Sequence, residues 1–268
     1  MESICVIFTD LDGTLLDHDT YSFAAAAPAL RLLSLKRCPL VICTSKTRAE
    51  IEVVRDKLGV ADPFISENGG AVFIPRGYFT VPVGRTRETG DYLAIELGAP
   101  YDNLRAAIRD IRSKTGCKVV GFGDMSVEEV ARDAGLDHAS ARLARMREYD
   151  EPFVVPDPAC VDRVLAEIEA RGFRHTRGGR YFHLTGDSDK GRAVSLLAAL
   201  FREEYGTVTT VGLGDSRNDL PMLAAMDIPI LVQKSDGSYE KTGPEVVHAN
   251  GVGPEGWNRA VVKILKKI

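Results

Sequence analysis

The stretch Ile4-Cys5-Val6-Ile7-Phe8-Thr9-Asp10-Leu11-Asp12-Gly13-Thr14 joins an apolar run to a pair of carboxylates. The run reads as a buried β-strand, which places Asp10 and Asp12 at its C-terminal end. In extended geometry, residues two apart leave the backbone on one side. Two carboxylates held close repel unless a cation or a proton sits between them. A Mg²⁺ ion suits such a pair, because it takes hard oxygen ligands and keeps several waters. Gly13 permits the sharp turn, and Thr14 adds a hydroxyl donor. The bland alternative is a polar loop in which an Asp caps the next helix.

Outward from this stretch, strand and helix alternate. Ile4–Thr9, residues 40–44 and residues 64–66 read as strands; residues 24–35 and 47–58 read as helices. Residues 71–74 and 78–81 suggest a hairpin across Pro75-Arg76-Gly77. Alternation resumes near Lys190, with a helix over 190–205, a strand over 209–213, a helix over 219–226, a strand over 228–232 and a last helix over 257–267. The middle differs, with short strands and helices mixed and a hairpin of residues 173–176 and 181–185 across Gly178-Gly179. The pattern predicts an α/β protein with a Rossmann-like parallel-sheet core over residues 1–83 and 186–268. An inserted α+β cap occupies residues 84–185.

Composition sets bounds. The chain has 268 residues and a formal net charge of −4, which gives no general case for nucleic acid or anionic membrane as partner. No apolar run approaches membrane-spanning length. The N-terminus lacks a basic region followed by a long apolar stretch, so no signal peptide is expected. Five cysteines without CxxC spacing predict reduced thiols in a cytoplasmic protein, and no zinc site. Oligomeric state is not legible.

Further groups fall where an open parallel sheet gathers its site, at strand C-termini. Thr44-Ser45-Lys46-Thr47 offers hydroxyls and helix-opening amides to a phosphate, or simply caps a helix. Lys190, in a first helical turn, opposes the helix dipole, which suggests an anion nearby; a solvated lysine is the alternative. Gly214-Asp215-Ser216-Arg217-Asn218-Asp219 places Asp215 at a strand end as a metal ligand, with Asn218 and Asp219 able to orient Lys190 or metal-bound water and Asn218 a candidate substrate-binding residue. Ser66-Glu67-Asn68-Gly69-Gly70 either lines the entrance or is an ordinary glycine turn. Together these groups specify phosphoryl transfer. Asp10 is the nucleophile, Asp12 the general acid and base, and Lys190, Thr44, Ser45 and Mg²⁺ neutralise the phosphoryl oxygens.

At these residues the sequence resembles the haloacid dehalogenase-like phosphohydrolases, whose four motifs occur in order at Asp10–Thr14, Thr44-Ser45, Lys190 and Gly214–Asp219. The resemblance implies Mg²⁺ held by Asp10, the Asp12 carbonyl and Asp215. Three stretches resemble the mannosyl-3-phosphoglycerate phosphatases in particular: Thr44–Thr47, Arg147-Glu148-Tyr149-Asp150-Glu151-Pro152-Phe153, and Gly178-Gly179-Arg180-Tyr181-Phe182-His183-Leu184. General sugar phosphatases of this type carry Thr-Gly-Arg at the second motif, whereas Ser45-Lys46 stands here. The implied partner is a phosphorylated glycosyl acid, hydrolysed to mannosylglycerate and phosphate.

In the cap, Arg171, Arg174, His175, Arg177 and Arg180 crowd one stretch. They form either a carboxylate-binding cluster or a solvated basic face. Arg180, beside the glycine turn, is the first choice for the substrate carboxylate. His183 either faces the cleft as a substrate-binding residue or is a structural histidine. Glu148 and Asp150 are candidate acceptors for sugar hydroxyls. Competing readings are a general sugar-phosphate phosphatase, a phosphosugar mutase of the same fold, and, outside enzymes, an aspartyl-phosphate signalling receiver. A receiver leaves the cap unexplained.

Overall fold

The computed structural model describes residues 4–243 and 245–267, so the outer limits of the expected domains, residues 1 and 268, lie outside the described residues. The strands are β1 (Ile4–Thr9), β2 (Leu40–Cys43), β3 (Phe64–Ser66), β4 (Ala71–Pro75), β5 (Arg87–Thr89), β6 (Tyr92–Glu96), β7 (Val120–Gly121), β8 (Asp150–Val154), β9 (Arg174–Gly178), β10 (Tyr181–Thr185), β11 (Val208–Gly214), β12 (Ile228–Gln233) and β13 (Val247–Val252). The main helices are α1 (Ala27–Lys36), α2 (Arg48–Leu58), α3 (Tyr101–Thr115), α4 (Val127–Ala134), α5 (His138–Ala144), α6 (Val161–Ala170), α7 (Lys190–Tyr205), α8 (Leu220–Ala224) and α9 (Gly253–Leu265).

A nine-stranded sheet runs β13-β12-β11-β1-β2-β3-β4-β6-β5, parallel from β13 to β3 and antiparallel beyond. Successive β1 residues enter opposite cores. Cys5 and Ile7 pack with α1 and α9 side chains such as Leu33 and Trp257, whereas Val6 and Phe8 pack with Val194, Leu197 and Phe201 of α7. Burial on both faces is what the continuous apolar strands require. Chain order reverses at β1, which pairs with β11 on one side and β2 on the other. That is the switch point at which such sheets bind ligands. Helix entries follow local chemistry. Thr47 caps α2 through a reciprocal capping box with Glu50, and Gly59 ends it in the left-handed region.

The small sheet, β7-β8-β10-β9, has its own core of Leu104, Ile108, Phe153, Val164, Ile168 and Leu184 beneath α3 and α6. Two sequence expectations change here. Residues 78–81 form no strand; β4 pairs instead with β6, and β5 joins β6 at the sheet edge. Tyr92–Glu96 was expected inside the insert, but its hydrogen bonds put it in the nine-stranded sheet. The first crossing therefore lies at Leu97–Ala99, not near Val83–Arg85. There the Leu97 and Gly98 amides donate to the Gly70 carbonyl at 2.9 and 2.8 Å. Gly186, on the second crossing, sits where a Cβ would meet the Ala99 nitrogen at 2.4 Å, so the two crossings touch.

The cysteine expectation is also corrected. Cys117, just after α3, is bonded to Cys160, just before α6, with Cα atoms 5.9 Å apart. The 43-residue separation hides the pair in the sequence, where only adjacent spacings were informative. Cys5, Cys38 and Cys43 are free thiols. Cysteine usage thus no longer argues for a compartment. Among the described residues, no helix is long and apolar enough to cross a membrane.

Candidate active site

Where β1 ends, the Asp10 amide donates to the Leu213 carbonyl at 2.9 Å, which carries the β1–β11 pairing one residue beyond the strand. The chain then turns through Gly13, at φ +76°. A Cβ at Gly13 would lie 3.1 Å from Asp215 Oδ2, so glycine lets the two strand ends approach. Thr14 Oγ1 donates to Asp215 Oδ1 at 2.9 Å. Lys190, at the start of α7, is buried, and its Nζ donates to Asp10 Oδ1 at 2.7 Å and to Asp219 Oδ1 at 2.5 Å. Asp219 Oδ2 accepts the Asp215 and Ser216 amides, both at 3.1 Å. Asp10, Asp215 and Asp219 each bring an oxygen within 4.8 Å of the others.

Burial pushes the Asp10 carboxyl up, with Lys190 opposing and Asp219, Asp215 and Asp12 adding to the rise. Burial disfavours the charge on Lys190, but Asp10 and Asp219 outweigh it and hold the ammonium protonated. Asp215 is pushed up to about 7 by burial and by Asp219. Three carboxylates against one ammonium leave the cluster short of positive charge. The all-oxygen donor set suits a hard divalent cation such as Mg²⁺. Asp219 is committed to Lys190 and two amides, which leaves Asp10 and Asp215 as the carboxylates able to hold it. The buried Asp12 Oδ1 has no partner among the described residues.

Asp12 itself departs from the extended-strand expectation. The chain leaves strand geometry after Asp10, and the Asp12 carboxylate meets Lys46 Nζ at 2.8 Å instead of joining the cluster. Lys46 also lies 3.8 Å from Glu50 and over the Tyr21 ring at 5.0 Å. Ser45 lines the cavity. Thr44 is buried, its Oγ1 accepting the Lys46 amide at 3.4 Å, so it supports the loop at this distance. Asn218 lines the cavity and donates Nδ2 to Asn68 Oδ1 at 3.1 Å. Asn68 Nδ2 donates to Asp150 Oδ2 at 2.7 Å, and Asp150 also meets His183 Nδ1 at 2.9 Å. His183 is both buried and cavity-lining, so the two sequence alternatives coincide.

The arginine cluster divides. Arg171 pairs with Glu167 and Asp110, Arg174 with Asp187 and Asp189, and His175 with Glu169. Only Arg177 and Arg180 of the group line the cavity. Arg180 is exposed and engaged with Asp133, through its carbonyl and through its carboxylate at 3.2 Å, so it is not the free fork that the glycine turn suggested. Asp150 is fully buried and occupied, and Glu148 pairs with Arg48 at 2.9 Å and Arg87 at 3.4 Å. Neither is free for a sugar hydroxyl.

Sequence reasoning gave Glu67, Asn68 and Arg147 no individual role. The glycines around Asn68 left an entrance lining or a plain turn open; Glu67 and Asn68 both hold positive φ and both are buried. Glu67 accepts the Glu148 and Tyr149 amides at 3.0 and 2.8 Å, which ties the segment before β8 to the core. Burial pushes its carboxyl up to about 8. The folded state therefore binds a proton that the unfolded chain releases near 4.5. This contribution is complete below about pH 4.5 and is lost as pH rises through about 8. Between pH 6 and 9 the wild type should lose about 2.5 kcal/mol relative to Glu67→Gln, read from urea unfolding at each pH. Parallel curves would contradict the assignment.

These groups open on one cavity of about 1000 Å³, floored by Asp10, Asp215 and Asn218 and roofed by Phe122, Arg147 and Tyr181 of the insert. A family model described as haloacid dehalogenase-like hydrolase matches residues 7–79. A glucosyl-3-phosphoglycerate/mannosyl-3-phosphoglycerate phosphatase of Methanococcoides burtonii is 52% identical over 265 residues, covering 98% of this chain and 97% of the relative. One of the same name from Persephonella marina is 46% identical, covering 98% of each chain. Among solved structures, a phosphatase of the same superfamily from Bacteroides thetaiotaomicron superposes with a TM-score of 0.71 at 18% identity, over 99% of this chain and 96% of that one. This chain belongs to the haloacid dehalogenase-like hydrolases. Within them it is a phosphoric monoester hydrolase similar to the mannosyl-3-phosphoglycerate phosphatases.

Proposed function

We propose that this chain hydrolyses mannosyl-3-phosphoglycerate, or its glucosyl counterpart, to the glycosylglycerate and phosphate through an aspartyl-phosphate on Asp10. The observation that carries it is Lys190 bridging Asp10 and Asp219 at the floor of a roomy, cation-walled cavity. Near full-length similarity to two phosphatases of that name supports the substrate class.

An Asp10 carboxylate oxygen attacks phosphorus, and the bond to the glycerate oxygen breaks. The departing oxygen takes its proton from Asp12, whose carboxylate Lys46 orients. Water then attacks the aspartyl-phosphate, Asp12 accepts the proton, and Asp10 is regenerated. Lys190, Ser45 and the loop amides neutralise the phosphoryl oxygens. Asp10, Asp215 and the Asp12 carbonyl would hold Mg²⁺, which supplies further charge neutralisation at the transferring group. The insert excludes water and reads the leaving group. The reading places the reaction in the cytoplasm, where charge retains phosphorylated metabolites.

EDTA should stop phosphate release, and added Mg²⁺ should restore it, because few protein oxygens hold such an ion. Asp215→Ala should raise the Mg²⁺ requirement or abolish turnover. Full activity in metal-free buffer would contradict the Mg²⁺ reading, and isomerised phosphosugar in place of free phosphate would contradict hydrolysis.

A further inference from the structure

Six cationic side chains line the cavity: Lys46, Arg147, Arg177, Arg180, Arg217 and Lys234. Three already face a carboxylate: Lys46 at Asp12 (2.8 Å), Arg180 at Asp133 (3.2 Å) and Lys234 at Glu240 (2.8 Å). Arg177 and Arg217 are exposed, where water screens a cation strongly.

Arg147 differs on both counts. It is half-buried, and its hydrogen bonds go to neutral acceptors: Nε donates to the Ala144 carbonyl at 2.8 Å, and Nη1 to the Ser45 carbonyl at 2.7 Å. The guanidinium stacks over Phe122 at 5.6 Å, another cavity wall. Asp150, Glu50, Glu67 and Glu151 lie near enough to hold the guanidinium charged, but none of them is hydrogen-bonded to it: Glu67 takes two amides and Asp150 takes Asn68 and His183. A guanidinium has five N–H donors, so three remain, including both on Nη2. That planar donor set matches a carboxylate held at two points.

Position selects the anion's place on the ligand. Arg147 grips the carbonyl of Ser45, whose neighbour Lys46 touches Asp12. Asp10 and Arg147 line the same cavity, so one ligand can present a phosphate to the first and an anion to the second. Resting on the phosphatase reading above, we propose that Arg147 is the specificity-determining residue that anchors a substrate carboxylate close to the transferred phosphate. Because its Nη1 donates to the Ser45 carbonyl, the contact couples recognition of the acid to the loop that carries Ser45.

The test uses 3-phosphoglycerate and glycerol 3-phosphate, which differ in the carboxylate, as competitive inhibitors of p-nitrophenyl phosphate hydrolysis. Wild type should bind the acid about 10- to 100-fold more tightly. In Arg147→Met the preference should shrink to within about threefold, and Arg147→Lys should restore part of it, since one ammonium replaces a fork. Arg171→Ala, on the outer face, should keep the wild-type ratio. A wild type with no preference overturns the inference without any variant, and so does Arg147→Met retaining the full preference. Hydrolysis of glycosyl-3-phosphoglycerate by wild type is scored separately. Preference without hydrolysis refutes the substrate reading and spares Arg147; hydrolysis with the preference intact in Arg147→Met does the reverse.

Discussion

Asp10→Asn should lower kcat by at least about 10⁴-fold, the scale seen when a nucleophile is removed from an otherwise intact site. The fold should survive. Asn keeps the shape, Lys190 keeps Asp219 as a partner at 2.5 Å, and the buried cluster sheds one negative charge. Rapid acid quench during turnover should trap phosphate on the wild-type protein and none on the variant. More than about one per cent residual kcat in Asp10→Asn, free of wild-type contamination, would rule out the covalent route.

Lys190→Met should be costly in a second way. The sequence leaves a solvated lysine as one reading of this first-turn residue. The structure buries it between two carboxylates. Removing one member of a buried charge cluster leaves the others uncompensated, which costs about 3–5 kcal/mol. Asp10, Asp215 and Asp219 would then face one another without the ammonium. Urea unfolding in EDTA should show that loss, and Mg²⁺ should recover part of it by neutralising the same carboxylates. Turnover should fall together with stability. A variant as stable as wild type in EDTA would mean that the cluster is not charged as described.

The grouping at the cavity floor was legible because each of its residues sits near a strand end or a helix start, where local chemistry and sheet topology agree. Asp10, Ser45, Lys190 and Asp215 follow from apolar strands ending in polar, helix-opening residues. What distinguishes Lys190 as buried comes from Asp219, 29 residues on, and periodicity carries no such information. The insert was legible as a block but not at its first edge. Tyr92–Glu96 has strand character in either setting, and only its pairing with β4 assigns it to the large sheet. β13 went unrecognised because Val247–Val252 includes His248, Asn250 and Gly251 and pairs irregularly at the sheet edge. Arg180 looked free because its partner, Asp133, lies 47 residues upstream. Arg147 stood in a stretch singled out by resemblance, yet the role proposed for it rests on a hydrogen bond to Ser45, 102 residues away.

The most direct test of the account is a panel of phosphate-release rates in Mg²⁺ over mannosyl- and glucosyl-3-phosphoglycerate, mannose 6-phosphate, glucose 6-phosphate and p-nitrophenyl phosphate. Losing one charge-assisted hydrogen bond to a buried group costs about 1.5–3 kcal/mol, so kcat/KM for the glycosyl-phosphoglycerates should exceed that for the neutral hexose phosphates by at least about tenfold. Hexose phosphates that match or outrun them would contradict the assignment of this site to a phosphorylated glycosyl acid.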